Sequence, residues 1–199
     1  MKSSIAVIPI AVLLLAGCAA GNASSNSSSG KIDVVASTNV WGDIASTVGG
    51  DDVSVTSFID DPSKDPHEYE ASGQNQLAIS KAAVVIENGG GYDDFVDTML
   101  KSSPSSSATV LNAVKVSGLT APAGGDLNEH VWYDFPTVTK VIDKLRAALA
   151  KARPADASLF SANAKSLTGK IALLEARERE LKTKYSSVGA AINPSRSTC

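Results

Sequence analysis

Apolar positions along this chain alternate between two rhythms, and the alternation sets the expected fold. Ile32-Asp33-Val34-Val35-Ala36-Ser37-Thr38 is short and rich in β-branched residues, which predicts a strand. Val40 to Val48 predicts a helix, closed by Gly49-Gly50. Val53-Ser54-Val55-Thr56-Ser57-Phe58 alternates at period two and predicts a second strand. Ser72 is placed to cap a short helix running through Ile79. Ala82-Ala83-Val84-Val85-Ile86 is an unbroken apolar run, as expected of a buried parallel strand. Gly89-Gly90-Gly91 ends it, and Tyr92 to Leu100 then sets Phe95, Val96 and Met99 on one helical face. A loop over Ser102 to Ser107 leads into a fourth strand, Ala108-Thr109-Val110-Leu111, and Leu119 to Asn128 is a loop containing Gly and Pro.

Two helices follow. The first starts near Pro136 with Asp134 as its cap, and its apolar positions are Val138, Val141, Ile142, Leu145, Leu149 and Ala152. The second runs from Pro154 to Tyr185, with Phe160, Leu167, Ile171, Leu174, Leu181 and Tyr185 at helical spacings. Gly169 weakens it by about 1 kcal/mol relative to Ala. Arg177 to Lys184 reads as a solvated charged face.

Repeated β-α-β units with short connections predict an α/β fold: a mostly parallel, doubly wound amino-terminal lobe over 31–153, then a long helix over 154–185. Ligands of such sheets bind beyond the carboxyl ends of the strands.

The amino terminus carries its own signals. Lys2 followed by the apolar run Ile5 to Leu15 has signal-peptide length and is too short to span a bilayer. Leu15-Ala16-Gly17-Cys18 is a lipobox, so residues 1–17 are expected to be removed and Cys18 to be lipidated. The Ser-, Asn- and Gly-rich stretch Asn22 to Gly30 then serves as a tether, with 18–30 forming the anchor segment. Expected localisation is the extracytoplasmic face of the cell membrane, held by lipid. Removing residues 1–17 takes away one lysine and makes the formal charge of −3 one unit more negative. With no basic run anywhere, nucleic acid is not an expected partner. An acylated Cys18 leaves Cys199 without a disulfide partner.

Candidate chemistry concentrates in two motifs, which hold the only two histidines of the chain: Asp65-Pro66-His67-Glu68-Tyr69-Glu70 and Asn128-Glu129-His130-Val131-Trp132-Tyr133-Asp134. Each histidine follows a predicted strand and can reach the same rim of the sheet. Imidazole suits zinc, manganese and iron-class ions, and Glu68, Glu70, Glu129 and Asp134 could add oxygen ligands or orient the rings. A metallohydrolase is disfavoured: His-Glu-x-x-His is absent, no Ser or Cys nucleophile has a matching base, and the glycines near residue 90 form no phosphate-binding fingerprint.

These motifs carry a resemblance to the zinc/manganese-type solute-binding lipoproteins of bacterial ABC importers, extending from Lys31 to about Ile192. Asp65-Pro66-His67-Glu68-Tyr69 matches the family's Asp-Pro-His-x-Tyr signature, and Asn128 to Asp134 matches its second ligand motif, where Glu129 stands in place of a frequent Pro. Val40-Trp41-Gly42-Asp43-Ile44-Ala45, Gly49 to Val55 and Asn88-Gly89-Gly90-Gly91-Tyr92 resemble its first helix, its turn into the second strand and its Asn-Gly loop. Pro154 to Tyr185 is similar to its interdomain helix, with Arg153 replacing the usual Asp.

The resemblance implies a binding protein and not an enzyme. It would act as a monomer that captures a divalent transition metal as transported ligand, zinc ahead of manganese, and delivers it to an ABC transporter permease. His67 and His130 would be the two amino-lobe ligands. The His-rich zinc-collecting loop of some relatives is absent between the motifs. The family's carboxyl lobe normally supplies two more ligands. Here 186–199 is expected to be only the start of that lobe, with Asn193 to Cys199 resembling nothing in it, so the second lobe is expected to be missing. A frameshift or early stop near Ile192 would explain this, and a coding sequence reading cleanly to the stop, with no homologous lobe in another frame downstream, would exclude it. The alternative is a non-functional remnant with weak or no metal binding.

Overall fold

The computed structural model describes residues 30–103 and 107–186. The signal peptide, Cys18 and the tether up to residue 29, and the expected start of a second lobe from residue 187, lie outside the described residues.

Four parallel strands, β1 (Ile32–Thr38), β2 (Val53–Ile59), β3 (Val84–Glu87) and β4 (Thr109–Asn112), form a sheet in the order β2-β1-β3-β4. Val34 pairs with Val55 on one side and Val84 on the other, so β1 is central. Its β-branched residues are buried on both faces, which is why the run is not cleanly alternating. The chain leaves β1 toward β2 and then crosses back to β3 on the opposite side, creating a switch point beside β1.

Helices cover both faces, as the doubly wound expectation requires. On one face α1 (Asn39–Gly49), α5 (Phe135–Ala152) and α6 (Ala157–Lys184) bury Trp41, Val48, Ile142, Leu145, Leu149 and Phe160 against Val34, Val84 and Ile86. On the other, α2 (Gly73–Lys81) and α3 (Asp94–Lys101) bury Ile79, Val96 and Met99 against Val35, Phe58 and Val85. Ser72 caps α2 in a reciprocal capping box with Asn75, and Asp134 caps α5 through Thr137, with Pro136 in the first turn.

Some details depart from the sequence reading. A short helix, α4 (Ala113–Ser117), follows β4 directly and was not expected; Asn112 caps it by accepting from the Lys115 N–H. In α5 the buried position is Ala148, whereas Ala152 is exposed. The apolar stripe of α6 is only half used: Phe160, Ala164 and Ile171 are buried, but Leu173, Leu174 and Leu181 are exposed, as is Tyr185 just past its end. No helix among the described residues is long and apolar enough to cross a membrane.

Candidate metal centre

Loops leaving the carboxyl ends of β2 and β3, and the segment after α4, meet on one rim and bring the two histidines together. Asp65 accepts the backbone N–H of His67 at 2.9 Å and starts a single 3-10 turn, Pro66–Glu68, whose Pro66 is buried. This turn anchors the chain below the ring and leaves the His67 imidazole exposed at the rim. His130 is held in a similar way: Asn128 Oδ1 accepts the His130 backbone N–H at 3.0 Å.

The loop after β3 joins the two. Its backbone is gripped by Asp93, whose buried carboxylate accepts the Asn88 N–H at 2.6 Å and the Gly89 N–H at 2.7 Å. Gly89, Gly90 and Gly91 all take positive φ, and a Cβ at Gly89 would lie 2.2 Å from the Asn112 side chain, so the glycines are required there. Buried Asn88 donates from Nδ2 to the Glu129 carbonyl at 2.8 Å and thereby ties this loop to the second histidine motif.

Each imidazole has a defined tautomer. Nδ1 of His67 lies 3.2 Å from the Gly91 carbonyl, and Nδ1 of His130 lies 2.8 Å from Asn128 Oδ1. Both partners are oxygens that can only accept, so each Nδ1 carries a proton, and in the neutral ring the lone pair lies on Nε2. Metal-binding imidazoles are commonly oriented by just such contacts.

Tyr92 sits between the rings. Its centroid is 5.4 Å from His67, nearly perpendicular, 5.9 Å from His130 and 4.7 Å from Trp132. Burial, reinforced by the nearby Asp93 and Asp65 carboxylates, pushes the Tyr92 phenol above its usual pKa, so it is neutral at physiological pH. Beside this cluster, Pro62, Lys64, Pro66, Tyr92, His130 and Trp132 contribute to the wall of an open cavity of about 450 Å³.

Of the carboxylates considered from sequence, Glu129 alone faces the rings: its Oε1 is 3.8 Å from His67 Nε2 and 3.8 Å from His130 Nδ1. Glu68 and Glu70 are exposed, and Asp134 is used as a helix cap. Among the described residues no three His, Cys, Asp or Glu side chains are already gathered into a metal-holding group. Sequence reasoning missed Tyr92 and Asp93 as site-building residues. The Tyr92-Asp93 pair directly after three glycines was the available signal.

The profile of the family described as "Zinc-uptake complex component A periplasmic" matches residues 34–191. The chain belongs to this family. Its named relatives include metal ABC transporter substrate-binding lipoproteins such as scaA of Streptococcus gordonii, and the family is not one of enzymes. The chain is 31% identical over 163 residues to the manganese-binding lipoprotein MntA of Bacillus subtilis, covering 80% of this chain and 53% of that protein. It is 28% identical over 156 residues to the iron-binding protein YfeA of Yersinia pestis, covering 75% and 49%. Among solved structures, Zn(II)-bound AdcA from Streptococcus pneumoniae superposes with a TM-score of 0.65 at 22% identity, over 74% of this chain and 32% of that one, a likeness of fold. The chain spans about half the length of the first two relatives it matches. Metals named for relatives and neighbours include manganese, iron, zinc, cadmium and nickel. These names do not rank zinc above manganese.

Proposed function

We propose that this chain captures a divalent transition-metal ion outside the membrane, through His67 and His130, for delivery to an ABC transporter permease. The observation that carries the reading is the pairing of the two rings on one rim, each with Nδ1–H held by an oxygen and Nε2 free to donate to a metal. The chemistry is ligand exchange: the ion trades waters for imidazoles, and no bond in a substrate is broken. Tyr92 and Trp132 pack beside the rings and limit their rotation, which lowers the ordering cost of binding. A lipid anchor at Cys18 would hold the domain near the permease, and the exposed apolar residues of α6 would suit its role as a linking helix toward further chain.

The test is a chelator-competition titration of the full chain with Zn(II) and Mn(II). Stoichiometric binding that falls in both His67→Ala and His130→Ala supports the reading. Binding unchanged by either substitution refutes it. No measurable binding by the intact chain favours a remnant that has lost the function.

A further inference from the structure

The rim beside the histidines holds more space than a bare ion needs. The cavity of about 450 Å³ adjoins a second one of about 200 Å³, and the two share Pro62, Lys64, Pro66, Tyr92 and Trp132 in their walls. Sites for small organic ligands have about this size, with apolar and aromatic walls and a few placed polar groups. The walls here are of that kind. Ring centroids of Tyr92 and Trp132 lie 4.7 Å apart, and those of Trp132 and Tyr133 5.5 Å apart. Tyr133 lines the larger cavity and is 75% exposed, so its ring offers a face that no other part of the described chain covers.

The polar groups are few, and most are already engaged. Asp61 Oδ1 accepts from the backbone N–H and the hydroxyl of Ser63 at 2.9 and 2.8 Å, and Asp65 holds the His67 N–H. Lys64, exposed in the wall of both cavities, has no ion pair among the described residues, which leaves its ammonium as the uncommitted charge. His130 lines the larger cavity as well, with Nδ1 taken by Asn128 and Nε2 left for an ion. First-row divalent ions take about four to six donors. Among the described residues no third His, Cys, Asp or Glu joins the two imidazoles in a metal-holding group.

We propose that the ion is captured as a chelate: a planar aromatic carboxylate of the pyridine-carboxylate type holds one side of the metal while His67 and His130 hold the other. The inference rests on the metal-binding reading above and deepens it by naming the form in which the ion arrives. The aromatic body lies against Trp132 and Tyr133, where ring faces and edges attract. A carboxylate oxygen not bonded to the ion pairs with Lys64. Binding is ligand exchange: two imidazole nitrogens replace waters on the chelated ion, and the chelator stays bound.

The experiment titrates the full chain with preformed Zn(II)–dipicolinate, Zn(II)–citrate, metal-free dipicolinate and Zn(II) alone, following tryptophan fluorescence and native mass. Of the two tryptophans Trp41 is fully buried, so Trp132 reports contact with the aromatic body. A ternary complex of protein, Zn(II) and dipicolinate is expected, tighter than the complexes with metal-free dipicolinate or the citrate chelate. Tyr133→Ala is expected to weaken the aromatic chelate about two- to tenfold, the worth of an aromatic contact. Lys64→Gln should weaken it up to about fivefold, the worth of an exposed ion pair. Both side chains are on the surface, so both variants should fold and bind Zn(II) alone as the parent does. Unchanged chelate affinity in the variant carrying both substitutions would overturn the proposal. So would loss of Zn(II) to dipicolinate with no ternary mass, or equal binding of metal-free dipicolinate or the citrate chelate. If His67→Ala and His130→Ala bind Zn(II) alone as well as the parent, the underlying metal site itself is wrong, a result distinct from failure of the chelate alone.

Discussion

Asp93 is the residue whose removal should damage both stability and site. Its side chain, 1% exposed, accepts the Asn88 N–H at 2.6 Å and the Gly89 N–H at 2.7 Å. Both donors are buried, so Asp93→Ala leaves two N–H groups without acceptors. Hydrogen bonds to a charged group are worth about 1.5–3 kcal/mol each, about 3–6 kcal/mol for the pair. Relief from burying the carboxylate offsets part of this, leaving about 2–4 kcal/mol. With a urea dependence of about 2 kcal/mol per M, the unfolding midpoint should fall by about 1–2 M. Asp93→Asn keeps one acceptor oxygen and should fall about half as far. The same loop supplies the Gly91 carbonyl to His67 and places Tyr92 between the rings, so metal affinity should drop with stability. A midpoint shift in Asp93→Ala below about 0.5 M, or about 1 kcal/mol at that slope, would mean that the grip on this loop is energetically idle.

Glu87, at the end of β3, is buried, and burial pushes its carboxyl above the usual range despite the hydrogen bond from Asn112 Nδ2. Its folded-state pKa is raised, so the stability it contributes is present below the ordinary glutamate range and is lost as pH rises through the raised value. Glu87→Gln should therefore match the parent in acid and exceed it at neutral pH in urea unfolding; a difference independent of pH would contradict this. Gly49 lies where α1 meets β2, and an added Cβ would sit 2.2 Å from Val53 Cγ1. Gly49→Ala should destabilise by about 1–3 kcal/mol through overpacking, against a helix-propensity gain of about 1 kcal/mol, and Val53→Ala should rescue it in a double-mutant thermal melt. A more stable Gly49→Ala single variant would show that the contact yields freely.

Much of the molecule was legible in the sequence because local chemistry and tertiary demand coincide there. The β-branched runs became β1 and β2, Ser72 and Asp134 became helix caps, and the parallel doubly wound sheet followed from the strand-helix alternation. The two histidines stood out by being the only ones, each beside a motif-forming carboxylate and aromatic. The short helix α4 did not stand out, because a five-residue segment has too little length for a periodic signal.

Tertiary structure alone decided which of four candidate carboxylates faces the rings. Glu68 and Glu129 each adjoin a histidine in sequence, but the Asn88 hydrogen bond to the Glu129 carbonyl draws that segment over the glycine loop. Glu129 thereby comes within 3.8 Å of a histidine 62 positions away, while Glu68 stays in solvent. It also decided the ring tautomers, since the acceptor for His67 is the Gly91 carbonyl, a backbone group no side-chain pattern reveals. Sequence determined the elements and the donor atoms, because both depend on residue identity and short spacing. Which donors converge depends on loop-to-loop hydrogen bonds between distant backbone groups, and those exist only once the sheet has brought its strand ends together.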